Sequence, residues 1–305
     1  MYNKILNTYL PDTSAPAAVT VGEGLTSTAV YKLITVQDVK KILRPRKSFS
    51  HKGTYGHVLI IAGQEQTMGA AMLCSTGCLY TGAGLTTASI PASGLTALNT
   101  ALPEVMYLSR EALSDPSKLK KFNTLAIGPG LGKETEAAAL LQLAFSAGKP
   151  VVIDADAINL LATGAAQLSQ VPAGSILTPH VKEFDGLFGE HHTWFHRIQT
   201  AREVARKYQI VIVLKNEFTF IIDERATVFI NQTGNPAMAQ GGMGDVLTGI
   251  LAALVAQGYS SADAAVMGCN IHGKSGDELA GSRFIVSASQ VAKHIPQVLK
   301  KLLTA

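Results

Sequence analysis

The residues best placed to do chemistry lie between Asn235 and Gly249, in the run Asn-Pro-Ala-Met-Ala-Gln-Gly-Gly-Met-Gly-Asp-Val-Leu-Thr-Gly. Gly241, Gly242 and Gly244 leave backbone N–H groups uncovered just where a helical pattern begins at Asp245. Uncovered N–H groups at the positive end of a helix dipole form a cradle for an anion such as phosphate. Asp245, one step past the last glycine, is placed to take a hydroxyl proton while the cradle steadies charge on a transferring group. An isolated run of this kind serves equally well as a turn and helix cap. Its neighbours tip the balance towards catalysis.

Five apolar runs end in a polar or glycine-rich signature: Gly63 to Ala70, Gly128-Pro-Gly-Leu-Gly132, Asp154-Ala-Asp156, Thr178-Pro-His180 and Lys215-Asn-Glu-Phe-Thr219. Ligands of open parallel sheets bind outside the carboxyl ends of the strands, so these five signatures predict a single crevice. Asp154 and Asp156 suit metal binding, substrate contact or helix capping, and neither is assigned as a metal ligand. Gly268-Cys-Asn-Ile-His-Gly-Lys-Ser275 fits a Walker phosphate loop in letters. It sits inside a helical pattern instead of following a strand, so it is read as close helix packing. His191, His192 and His196 lack carboxylate or thiolate companions and read as a surface helix entrance.

The elements that must position these residues follow from periodicity. Apolar runs at His57 to Ala62, Leu85 to Ile90, Thr124 to Ile127, Pro150 to Ile153, Ser175 to Leu177 and Ile210 to Leu214 are separated by crossover-length segments. They predict an α/β fold, a mostly parallel sheet with helices on both faces. Phe218 to Ile222 and Thr227 to Ile230 flank the turn at Asp223 to Arg225 and predict an antiparallel hairpin. Helices are expected from Thr35, and over Asp245 to Gln257, Ala262 to Ala280 and Ala288 to Leu303. Residues 1–34 read as a tail or linker remnant, and residues 35–305 as the catalytic domain.

The chain has 305 residues, of which 47% are hydrophobic and 16% charged, enough for a substantial core. Lys and Arg number 26 against 22 Asp and Glu, without a charged block, which argues against a nucleic-acid partner. No apolar run approaches the roughly 18 to 20 residues of a membrane span, and the start of the chain lacks a signal-peptide pattern. Three cysteines in apolar stretches read as reduced core thiols. The expectation is a cytoplasmic protein.

Taken in order, Ser50-His-Lys-Gly-Thr-Tyr-Gly56, Gly128-Pro-Gly-Leu-Gly132, Asp154-Ala-Asp-Ala157, Leu177-Thr-Pro-His180, Leu214-Lys215 and Gly241 to Gly249 closely resemble the ADP/ATP-dependent NAD(P)H-hydrate dehydratases, members of the ribokinase-like superfamily. The resemblance spans about residues 36 to 303. It implies repair of a damaged cofactor: the S epimer of hydrated NADH or NADPH is dehydrated, driven by hydrolysis of ADP or ATP. Phosphorylation of the ring hydroxyl turns a poor leaving group into a good one.

Carried over position by position, the resemblance implies that Ala70, Gly130, His180 and Asp245 contact the hydrate. Lys215, Asn216, Glu217, Phe218, Thr219 and Gly244 would hold the adenine nucleotide, with Mg²⁺ bridging phosphates and Asp245 as catalytic base. Asn216, Met243 and Val181-Lys182 depart from the family pattern. ADP is the expected donor, a tetramer the expected assembly, and a separate NAD(P)H-hydrate epimerase the expected partner. An ordinary small-molecule kinase of the same superfamily is the alternative, and a nucleotide-binding protein without turnover is a third reading.

Overall fold

The computed structural model describes Tyr9, Thr20–Val21 and residues 31–304. Its strands are β1 (Thr20–Val21), β2 (Tyr31–Leu33), β3 (His57–Ile61), β4 (Leu85–Ser89), β5 (Met106–Tyr107), β6 (Thr124–Ile127), β7 (Val151–Ile153), β8 (Ile176–Leu177), β9 (Val211–Leu214), β10 (Thr219–Ile222) and β11 (Val228–Asn231). They form one sheet in the order β1-β2-β11-β10-β9-β8-β7-β6-β3-β4-β5. From β9 to β5 every neighbouring pair is parallel, while β10 runs antiparallel to both β9 and β11. The expected hairpin is therefore present. Asp223 closes it by accepting the backbone N–H groups of Arg225 and Thr227 at 3.1 and 2.7 Å.

Ten helices cover this sheet among the described residues: α1 (Val36–Ile42), α2 (Met68–Thr81), α3 (Leu95–Ala101), α4 (Thr135–Ser146), α5 (Asp156–Ala162), α6 (Val181–Phe188), α7 (Trp194–Tyr208), α8 (Met243–Ala256), α9 (Ser261–Ala280) and α10 (Ala288–Thr304). The central strands are buried on both faces, which explains why they read as continuous apolar runs and not as alternating ones. One core packs α4 to α7 on the sheet through Leu141, Ile158, Phe184 and Ile198. The other packs α1, α2 and α8 to α10 through Val39, Cys74, Ile250, Val266 and Ile295. No helix among the described residues is long and apolar enough to cross a membrane.

Two features differ from the sequence reading. Tyr31–Leu33, in the segment set apart as a tail, forms a buried strand paired with β11, and β1 pairs with it in turn. Tyr9 also packs edge-on against Trp194 and Phe218. Part of residues 1–34 thus belongs to the sheet and its core, and the rest lies outside the described residues. The helix of the glycine cradle starts at Met243, so Gly244 and Asp245 lie within its first turn.

The helix carrying Asp245 is seated by glycines. A side chain on Gly249 of α8 would collide with the Cys74 carbonyl of α2, and one on Gly77 of α2 with the Val246 carbonyl. Backbones this close fix α8 firmly relative to the strand ends, because neither helix can slide without overlapping main-chain atoms. The Walker-like stretch is a further instance, lying within α9. There Gly268 abuts Leu251, Gly273 abuts Thr233 and Gly276 abuts Met238.

Candidate active site

The turn after β7 aims its two aspartates in different directions. Ala155 between them has φ +48°, a conformation costly for a residue with a Cβ and common where structure serves a site. Asp154 points inward and is buried. Its Oδ1 accepts from the Lys215 ammonium at 2.9 Å and the Thr178 hydroxyl at 2.7 Å, and its Oδ2 accepts from the Thr248 hydroxyl at 2.8 Å. Burial pushes its acidity down, but the Lys215 charge and these hydrogen bonds outweigh burial and hold the carboxyl below its ordinary range. Asp156 turns the other way and accepts the Gly132 N–H at 2.9 Å, tying this turn to the glycine loop after β6.

The cradle begins at Gly242, whose φ of +90° suits only glycine comfortably. The first intrahelical bond of α8 runs from Val246 N–H to the Gly242 carbonyl, so the N–H groups of Met243, Gly244 and Asp245 have no partner within the helix. The N-cap is Gly242, which has no side chain to cap with, and Asp245 is the acidic residue of the first turn of α8. Burial first, and then the nearby Asp154 and Asp156 charges, raise its pKa to about 6 against the opposing pull of Lys215. A carboxylate with raised proton affinity beside uncovered N–H groups is suited to take a proton near neutral pH. Lys215 stays protonated: burial works against its charge, and Asp154 and Glu183 restore it.

Beside the cradle opens a cleft of about 470 Å³. Lys215, Asn216, Glu217, Phe218, Thr219 and Gly244, the six residues expected to hold a nucleotide, all line it. The lining also takes in Asn235, Pro236 and Met238 from the start of the run singled out in the sequence, and Asn231 to Gly234 with His272, which were not anticipated. Its apolar parts suit a planar base and its amides suit hydroxyl groups.

The NAD(P)H-hydrate dehydratase family model matches residues 58–297. This chain belongs to that family. The bifunctional NAD(P)H-hydrate repair enzyme of Moorella thermoacetica is 38% identical over 288 residues, covering 89% of this chain and 54% of that one. The chain thus spans about half the length of the curated relatives of this kind. The ADP-dependent (S)-NAD(P)H-hydrate dehydratase of Listeria monocytogenes is 33% identical, covering 88% of this chain and 96% of that one. Among solved structures, the ADP/ATP-dependent NAD(P)H-hydrate dehydratase of Bacillus subtilis, co-crystallised with ATP and Mg²⁺, superposes with a TM-score of 0.76 at 28% identity, covering 88% and 97% of the two chains. Solved ribokinase-like proteins share the fold, as the sequence predicted.

In this hydrate dehydratase family member, the four residues expected at the substrate lie on separate elements: Ala70 on α2, Gly130 in the loop after β6, His180 after β8 and Asp245 on α8. Gly130 has φ +57°, and a Cβ there would meet the Cβ atoms of Thr67 and Ala70 at about 3 Å, so the β6 loop and the start of α2 are in contact. The Thr67 hydroxyl donates to the Gly130 carbonyl at 2.7 Å. His180 lies exposed at the end of β8, paired through a backbone bridge with Lys215. Its Nδ1 accepts the Glu183 N–H at 3.1 Å, so it also caps α6. His191, by contrast, is tied to Asp185 and Thr200 at 3.0 and 2.8 Å, as a structural histidine.

No group of three or more His, Cys, Asp or Glu suited to a metal occurs among the described residues. That donor set fits Mg²⁺ only in the manner usual for nucleotide enzymes, with phosphate oxygens and water supplying most ligands and one carboxylate sharing the ion.

Proposed function

We propose that this chain dehydrates the S epimer of hydrated NADH or NADPH, restoring the reduced nicotinamide, with ADP converted to AMP and phosphate. The observation that carries the reading is the position of Asp245: in the first turn of α8, of raised proton affinity, among uncovered N–H groups, beside a nucleotide-sized cleft. Asp245 takes the proton of the ring hydroxyl, whose oxygen then attacks the terminal phosphorus of ADP. The bond to AMP breaks as the bond to the ring oxygen forms. The phosphate ester then leaves: its carbon–oxygen bond breaks, a proton is lost from the adjacent ring carbon, and the ring double bond returns. The N–H groups of Met243 to Asp245 stabilise the charge on the phosphoryl group in flight.

The expected sites keep their roles in this reading. Ala70, Gly130 and His180 hold the hydrate, and Lys215 to Thr219 with Gly244 hold the nucleotide. Mg²⁺ would supply charge neutralisation on the phosphates when bound. Residues 35–305, together with strand β2 of the preceding segment, form the catalytic unit, in the cytoplasm and as a tetramer. A separate epimerase supplies the S epimer.

Incubation with hydrated NADPH and ADP tests the reading. Recovery of the near-ultraviolet absorbance of reduced nicotinamide, with one phosphate released per turnover, is the expected result. A stable phosphorylated product makes the protein a small-molecule kinase, and nucleotide binding without turnover makes it a binding protein.

A further inference from the structure

Asp154 does not line the cleft, yet the groups it holds surround the reaction centre. Lys215 reaches it from β9, Thr178 from the end of β8, and Thr248 from α8. These partners are 61, 24 and 94 residues away in the chain. Thr248 is one helical turn after Asp245, on the same side of α8. The carboxylate that holds the lysine therefore also fixes the rotation of the helix that carries the base. Above the pair stands Gly244, where a Cβ would lie 3.4 Å from the Lys215 ammonium and 3.6 Å from Asp154 Oδ2.

On the premise of the proposed reaction, we infer that Asp154 is its positioning residue, holding the Lys215 ammonium behind the cradle so that it faces the transferring phosphoryl group and does not pair with Asp245. Lys215 has a long, flexible stem, and Asp245 is the other carboxylate of the centre with no hydrogen bond of its own among the described residues. Without Asp154 the ammonium would turn to Asp245, and the base would be lost to an ion pair. A pair of apolar residues would serve stability here at least as well as a buried ion pair. The strained Ala155 backbone that aims Asp154 inward points the same way, because such strain is maintained where a side chain must be directed.

The charged and titratable groups that bear on Asp245 are Asp154 and Asp156 from the turn after β7 and Lys215 from β9. From α2 comes the buried Cys74 thiol, kept neutral by burial. Removing the Asp154 charge takes away a repulsion and frees a cation, and both changes favour the ionised Asp245. A purely structural role for Asp154 has no such signature.

The test is a double-mutant cycle of wild type, Asp154→Asn, Lys215→Met and the double variant. Asp154→Asn is expected to lose about 10- to 100-fold in kcat, as outer partners of reactive groups do. The acid limb of its rate profile should move to lower pH. If it acts through the lysine, the double variant is no slower than Lys215→Met alone. Additive losses, or an acid limb that stays in place, overturn the inference. Calorimetric binding of ADP to the same four proteins should show the same coupling. That measurement needs no hydrated cofactor, so a wild type without dehydratase turnover would refute the proposed reaction while the binding cycle still judged the pair. Should Asp154→Asn fail to fold, Thr248→Val replaces it. That variant keeps both charges and should lose about 2- to 10-fold in ADP affinity, with Thr248→Ser restoring it. Unchanged affinity in Thr248→Val overturns the inference as well.

Discussion

A methyl group on Gly244 would stand 3.4 Å from the ammonium of Lys215. Ordinary van der Waals contact is tolerated there, and Gly244 has a helical backbone within the first turn of α8. Alanine is the better helix former by about 0.5–1 kcal/mol, so Gly244→Ala should unfold no earlier than the wild type. The methyl group would nonetheless screen the ammonium from a bound phosphate. ADP affinity measured by calorimetry should fall about tenfold or more. Equal affinity would show that the phosphate does not lie over Gly244.

Gly249 makes the opposite case. Its missing side chain faces the Cys74 carbonyl of α2, main chain against main chain, with no flexible group to give way. Gly249→Ala should destabilise the protein by about 1–3 kcal/mol, the cost of overpacking, in spite of alanine's helix propensity. Thermal unfolding measures this directly. A variant as stable as the wild type would mean that α2 and α8 are not seated as closely as described.

These two glycines mark what sequence can and cannot disclose. Gly244 was legible because its signature is local: an apolar helix pattern, a polar cluster before it and strand ends elsewhere that converge by topology. Lys215 to Thr219 were singled out in the same way, and they line the cleft beside the cradle. The pairing of Asp154 with Lys215 and Thr248 was not legible, since nothing in local pattern relates residues 61 and 94 positions apart. His272 was hidden by the Walker-like letters around it, whose glycines serve helix packing. Strand β2 escaped notice because three residues are too few for a period and Lys32 interrupts them, its ammonium lying over the Phe229 ring at 5.6 Å.

The pKa of Asp245 gives the reaction a pH dependence. Burial and the neighbouring carboxylates raise it to about 6, and a base works only when ionised. Turnover per unit of hydrated substrate, kcat/KM, should therefore fall tenfold for each pH unit below about 6 and level off above it. Rates measured across that range in a constant-ionic-strength buffer check this. A limb centred near 4, the ordinary carboxylate range, would mean that the base is a solvated carboxylate elsewhere.

Asp245→Asn should separate function from stability. The amide is nearly isosteric but cannot take the hydroxyl proton, so turnover should fall about 10²- to 10⁴-fold while ADP still binds. Its effect on folding follows from the same raised pKa. The native state holds this proton more tightly than the unfolded chain does, so the ionised carboxylate opposes folding. Stability from this group is fully present below the unfolded pKa near 4 and is lost as pH rises to about 6. Above that pH the asparagine variant, free of the charge, should be more stable than the wild type by on the order of 1–2 kcal/mol, the difference shrinking towards zero near pH 4. Differential scanning calorimetry at the two ends of this window reads it. If Asp245→Asn keeps near-normal turnover, the base is another residue. If it is inactive but melts earlier than the wild type at neutral pH, the carboxylate stabilises the native state, and the loss of activity reports on folding and not on proton transfer.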